Sequence, residues 1–122
     1  MVQALDYITL FVTDLDASLQ FYRDALGLSV LEVSPSFVLL SVGNCRLGLH
    51  ATERQRDNAG VNLHFRVDDV DLASTELVRR GGQCEQPPRN RPWGIRAADF
   101  RDPAGYAIEL VGPLKEGAAP CA

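Results

Sequence analysis

The chain has 122 residues, 46% of them hydrophobic and 23% charged, with a formal net charge of −4. That supports one domain with a buried core, in ordinary globular proportions rather than those of a disordered chain. The acidic balance argues against nucleic acid as a partner, because phosphate backbones require a basic surface. No apolar run reaches the ~18 residues of a membrane span, so a membrane is not expected as a partner either.

The first residues, "MVQALDY", carry neither the basic region nor the apolar core of a signal peptide, and the expected location is the cytoplasm. The three cysteines, Cys45, Cys84 and Cys121, are far apart and form no Cys-x-x-Cys pair. They read as two strand residues and a tail thiol in a reducing compartment, not as a disulfide frame or a zinc site.

"ITLFVTDLDASLQFYRDALGL" (8–28) reads strand, cap, helix, stop. Ile8, Leu10 and Val12 alternate with Thr9 and Phe11. Asp14 is placed to cap a helix whose apolar stripe is Leu15, Leu19, Tyr22 and Leu26, and Gly27 ends it. Three strand-like runs follow, "LSVLEV" (28–33), "FVLLSV" (37–42) and "CRLGLH" (45–50), with turns at Ser34-Pro35 and Gly43-Asn44.

After a polar linker at about 51–60, "LHFRVDDVDLASTELVRRGG" (63–82) repeats the plan. Asp69 caps, Val70, Ala73 and Leu77 form the stripe, and Gly81-Gly82 stop the helix. Val12 matches Val67, Asp14 matches Asp69, Asp16 matches Asp71 and Gly27 matches Gly82, all at one offset of 55. One shared register points to internal duplication. A short piece around Cys84-Glu85 precedes the Pro-rich loop "QPPRNRPWG" (86–94), which carries Arg89, Arg91 and Trp93. "IRAADF" (95–100) and "YAIELV" (106–111) are the last strands, joined by Asp102-Pro103-Ala104-Gly105, a type I turn by its residue preferences. Residues 113–122 show no periodicity and read as a loose tail.

The predicted fold is therefore α+β: a single domain of two βαβββ modules in tandem, at about 5–50 and 61–112. Helices lie outside and a curved sheet cleft lies inside. Alternation puts Tyr7, Thr9, Phe11, Arg46, Gly48, His50, Asn62, His64, Arg66, Ala107, Glu109 and Val111 on the inner faces. That list is too polar for a dry core and reads as the wall of a pocket.

"VTDLDASLQFYRDALGL", "FRVDDVD…GG" and "PWGIR…DPAGYAIEL" together resemble the vicinal oxygen chelate superfamily: glyoxalase I, extradiol dioxygenases, fosfomycin-resistance enzymes and bleomycin-resistance proteins. The resemblance covers nearly the whole chain and implies a homodimer. In the metal-using members it places ligands early in the first strand and in the last strand of each module, here Tyr7, Gly48, Asn62 and Glu109. Of these only Glu109 is a credible ligand, whereas a catalytic divalent ion needs about three His or carboxylate donors. The alternative is a site shifted by one pleat, in which His50, His64 and Glu109 hold one divalent metal ion.

In the bleomycin-resistance branch a similar Trp-Gly segment borders the drug cleft. The resemblance therefore implies ligand contacts from Trp93, with Arg96 just inside the next strand. The reading that results is a small-molecule binder without a cofactor, sequestering a planar or aromatic compound such as an antibiotic. Its expected ligand-binding residues are Tyr7, Thr9, Phe11, Arg46, His50, Asn62, His64, Trp93, Arg96 and Glu109. The alternative is a metal-dependent lyase, isomerase or dioxygenase. A third reading is a metal-free enzyme with Glu109 as catalytic base and His64 as acid.

Overall fold

Ile8–Val12 (β1) and Cys45–Ala51 (β4) pair in parallel, with Ile8 opposite Leu47 and Thr9 opposite Gly48. Phe37–Val42 (β3) pairs antiparallel with β4, and Ser29–Val33 (β2) pairs with β3 at the sheet's edge, giving the order β1-β4-β3-β2. Asn62–Arg66 (β5), Gln83–Asn90 (β6), Arg96–Arg101 (β7) and Ala107–Gly112 (β8) form a second sheet in the order β5-β8-β7-β6. The computed structural model describes residues 1–55 and 57–116. The chain divides into two units, Met1–Arg56 and Asp57–Ala122, each a βαβββ module with its own four-stranded sheet.

The duplication extends to register. Ile8 opposite Leu47 in the first unit becomes Leu63 opposite Ile108 in the second. The first strands match at the sequence's offset of 55, and the last strands, Leu47 against Ile108, at 61. The same alternation sorts each sheet's faces. Leu10, Val12, Leu47 and Leu49 are buried in the first unit, and Ala98, Phe100, Ile108 and Leu110 in the second.

Each helix begins on an aspartate. Asp14 accepts from the Ala17 N–H at 3.0 Å and Asp69 from the Leu72 N–H at 3.1 Å, satisfying donors that have no partner within the helix. The second helix, Val70–Arg79 (α2), packs on β6, β7 and β8 and buries Val70, Ser74 and Leu77. The first differs from its expected form. Leu15–Leu19 (α1) passes into a π-helical stretch, Gln20–Ala25, in which the Leu26 N–H donates to the Phe21 carbonyl, five residues back. A π turn holds an extra residue. The buried positions are consequently Ser18, Phe21 and Tyr22, and Leu15, Leu19 and Leu26 are only partly covered.

Two further expectations are corrected. The segment 86–94 is not one stiff loop, because β6 runs on to Asn90. Its register shifts between Cys84 and Gln86 and again between Gln86 and Arg89, so Pro87 and Pro88 sit at an irregularity of an edge strand. That is a position where a missing N–H is tolerated. The tail is tied down as far as it is described. The Asn90 side-chain amide donates to the Lys115 carbonyl at 2.9 Å, and its oxygen accepts from the Lys115 N–H at 3.1 Å. Residues 117–122, Cys121 among them, lie outside the described residues. Among the described residues no helix is long and apolar enough to cross a membrane.

Candidate functional site

Glu109 is 8% exposed, although both its neighbours on β8 are apolar core residues. An isolated buried carboxylate is costly, and here three side chains meet it. Asn62 donates from Nδ2 to Oε2 at 2.9 Å. His64, directly opposite Glu109 in the parallel ladder, brings Nδ1 to 3.3 Å from the same oxygen. Arg91 approaches the other oxygen, Nη2 to Oε1, at 3.7 Å.

Arg91 also donates to both oxygens of Asp99 at 3.2 and 3.3 Å, so one guanidinium joins two carboxylates that face each other across β7 and β8. Its side chain is 9% exposed, and its Nε is buried without a hydrogen-bond partner. The polar face of the second sheet is thus Asn62, His64, Arg91, Asp99 and Glu109. Asn62 and His64 are its exposed members, His64 with half its side chain in solvent.

The corresponding face of the first sheet is built from rings. Thr9 lies beside Gly48, and Phe11 lies beside His50. The His50 ring is 5.4 Å from Phe11 and 6.0 Å from Phe37, centroid to centroid, and Tyr7 meets Phe37 edge-on at 6.1 Å. His50 Nδ1 is 2.8 Å from the Ala51 carbonyl. Since a carbonyl only accepts, Nδ1 is the donor in this contact. Arg46 does not reach this cluster's centre. It pairs with Asp6 through Nη2, and its Nε donates to the Asp6 carbonyl at 3.3 Å.

Gly48 is the position that matches Glu109 in the repeat. A Cβ on it would stand 2.8 Å from Cε1 of Phe37 and 3.1 Å from Oγ1 of Thr9. The Phe37 ring therefore occupies the place where the first module would present a ligand side chain. In the second module Glu109 and His64 are two adjacent donors, with Asn62 as a neutral third neighbour. Among the described residues no group of three His, Cys, Asp or Glu side chains is placed to hold a metal ion. By themselves the second module's two donors fall short of the roughly three protein ligands that a catalytic divalent centre uses.

Arg96 points to the helix side, not into the polar face, because Ala97 and Asp99 are the β7 residues that share a face with Glu109. It is buried against α2, with Nε 2.6 Å and Nη2 2.9 Å from the Asp71 carboxylate, and it also donates to Asn90 Oδ1 at 3.2 Å. This pair holds the Asp71 carboxyl below the usual carboxylate range, chiefly through the Arg96 hydrogen bonds. Trp93 sits in the tight turn between β6 and β7, where Gly94 has a φ of 92°, and is 68% exposed.

Sequence reasoning missed Arg91 and Asp99 as partners of Glu109. Asp99 had a signal. The turn at 102–105 closes with Arg101 opposite Ala107, which puts Asp99 opposite Glu109. Arg91 had none, since it reaches Glu109 only through the hairpin closed by its own N–H on the Ile95 carbonyl, at 2.7 Å.

Paired βαβββ modules of identical strand order have a match at family level. Residues 4–110 match the Glyoxalase/Bleomycin resistance protein/Dioxygenase superfamily. The chain belongs to this superfamily. Among curated proteins, it is 33% identical over 119 residues to the uncharacterized protein YraH of Bacillus subtilis, covering 84% of this chain and 93% of that one. It is 30% identical over 115 residues to a probable lactoylglutathione lyase of Synechocystis, covering 82% and 88%. Among solved structures, a lactoylglutathione lyase of Agrobacterium tumefaciens superposes with a TM-score of 0.74 at 28% identity, over 91% of this chain and 94% of that one.

Proposed function

We propose that this superfamily member is a small-molecule binding protein that works without a metal ion and sequesters a planar or aromatic compound such as an antibiotic. The observation that carries the reading is the Phe37 ring over Gly48, which fills with an aromatic surface the place matched to Glu109. Tyr7, Phe11, Phe37 and His50 form an aromatic cluster on one sheet, and edge and face contacts with flat rings are favourable there. On the other sheet Glu109 is oriented by Asn62, His64 and Arg91, and supplies a fixed acceptor for a ligand N–H or O–H. Trp93, exposed in its turn, adds a large indole face. We take the protein to act as a homodimer in the cytoplasm. The exposed thiol of Cys45 supports a reducing compartment.

The test is the metal content of untagged protein, measured by elemental mass spectrometry before and after incubation with nickel, zinc, manganese and iron(II). A thermal-shift screen of planar aromatic antibiotics follows. The reading expects far less than one ion per chain, together with a melting-temperature rise by at least one compound that Trp93→Ala or Phe37→Ala removes. A stoichiometric ion lost on His64→Ala or Glu109→Ala would overturn it. The metal-dependent lyase, isomerase or dioxygenase reading would then replace it, as the adjacency of His64 and Glu109 favours.

A further inference from the structure

In the second unit, where β5 and β8 end and β7 begins, there is a cavity of about 350 Å³ lined by Arg66, Val67, Asp68, Gly94, Ile95, Val111, Gly112 and Pro113. Its size falls in the range of small-molecule sites, about 300–1,000 Å³. Val111 shares a face with Glu109, one pleat further along β8, so the cavity adjoins the polar face.

Arg66 and Asp68 are the charged side chains of its lining, and both are exposed. Among the described residues no hydrogen bond or ion pair engages the Arg66 guanidinium or the Asp68 carboxylate, nor do the two pair with each other. Every other charged residue close to Glu109, by contrast, is engaged. The backbone between Arg66 and Asp68 is fixed, because the Val67 N–H continues the parallel ladder onto the Val111 carbonyl at 2.8 Å. Arg66 ends β5 and Asp68 lies in the bend that follows, so two opposite charges that do not pair with each other line the cavity two residues apart. Val67, Ile95, Val111 and Pro113 supply an apolar wall beside them.

We propose that this cavity binds the zwitterionic head of an amphoteric small molecule, with an acid group on Arg66, an amine on Asp68 and an apolar portion against Ile95, Val111 and Pro113. A guanidinium pairs readily with a carboxylate, and a charge-assisted hydrogen bond contributes most where water is partly excluded. The inference rests on the ligand-binding reading above and names a chemical class for it.

The experiment is isothermal titration of the full chain with three probes of one shape: L-leucine, isocaproate (the acid alone) and isoamylamine (the amine alone). Emission from Trp93, the only tryptophan and the neighbour of Gly94, is followed in parallel. Leucine is expected to bind at least about tenfold more tightly than either half-probe. Arg66→Gln should weaken leucine and isocaproate about tenfold, and Asp68→Asn should weaken leucine while leaving isocaproate unchanged or tighter. Failure of leucine to saturate, or equal binding by Arg66→Gln, overturns the proposal. These outcomes are read from charge variants and half-probes, so they stay separate from the metal content and antibiotic shifts that test the wider reading.

Discussion

Phe37 lies over Gly48, its Cε1 2.8 Å from where a Cβ on residue 48 would stand. Phe37 and Gly48 belong to adjacent antiparallel strands, and the register puts Phe37 opposite His50, one pleat along from Gly48. The ring therefore leans across the sheet onto the glycine. Gly48→Ala should destabilise the protein by about 1–3 kcal/mol, the range for inserting a methyl group into a filled space. Adding Phe37→Ala should recover part of that loss, because the obstructing ring is gone. Denaturant unfolding of both single variants and the double variant measures the coupling. Strict additivity would show that the ring and the glycine do not meet in solution.

Arg91 is the one guanidinium serving both Asp99 and Glu109, and its side chain is nearly enclosed. Replacing it with methionine keeps much of the volume but leaves two facing carboxylates without their cation. The expected cost is about 3–5 kcal/mol, the range for breaking a buried ion pair from one side. Glu109→Gln should cost less, since Asn62 can still donate to the amide oxygen and Arg91 keeps Asp99. The combined variant should then be more stable than the sum of the two losses predicts. Strict additivity of the two losses would mean that Arg91 is held by Asp99 alone.

Much of this was legible in the sequence. The offset of 55 is carried by caps and apolar strand positions that local physics fixes, and it reappears as the two parallel pairs Ile8–Leu47 and Leu63–Ile108. Glu109 could be placed on a polar face by alternation alone, and Asn62 and His64 beside it by the same parity. What escaped was set by tertiary choice. The first helix passes into a π stretch, and of its expected stripe only Tyr22 is fully buried, joined by Ser18 and Phe21 in place of Leu15, Leu19 and Leu26. The place of Arg96, on the helix side of β7 and against Asp71, follows from cross-strand register and not from its position in the chain. Its neighbour Asp71 was read as one member of the repeat, not as a salt-bridge partner in the first turn of α2. Arg91 depends on a hairpin whose irregular register no local rule dictates.

Arg96 and Asp71 make stability depend on pH in a direction that can be worked out. The Asp71 carboxyl is held below its ordinary value, first by the Arg96 hydrogen bonds. As pH falls, the unfolded chain takes up this proton before the folded one does. The contribution is thus fully present above the unfolded value of about 3.9 and is lost as pH falls through the lower folded value. The melting-temperature gap between the natural protein and Asp71→Asn should be constant above about pH 5 and narrow below about pH 4. Glu76, held at about 2 by Arg79 and then Arg80, titrates in the same acid range. It is common to both proteins and cancels in the difference. A gap that does not change with pH would show that Asp71 acts through its shape and not its charge.

Asn90 closes the last described segment onto β6 by imitating a strand. Its amide donates to the Lys115 carbonyl, and its oxygen accepts both from the Lys115 N–H and from Nη1 of Arg96. The same oxygen thus ties the tail to the buried guanidinium that also holds α2. Asn90→Ala removes both tail bonds at once and leaves the strand ladder in place. Hydrogen exchange at the Lys115 amide should accelerate by at least about tenfold, the factor that 1.4 kcal/mol of lost protection produces. The amides of β8 should be unaffected, because their partners are on β5 and β7. Asn90→Asp should keep the acceptor and lose the donor. The Lys115 N–H is then expected to stay partly protected while Arg96 gains a second carboxylate partner. Unchanged exchange at Lys115 in Asn90→Ala would mean that the tail is held by Lys115 Nζ on Asp71, 4.0 Å away, and not by the asparagine.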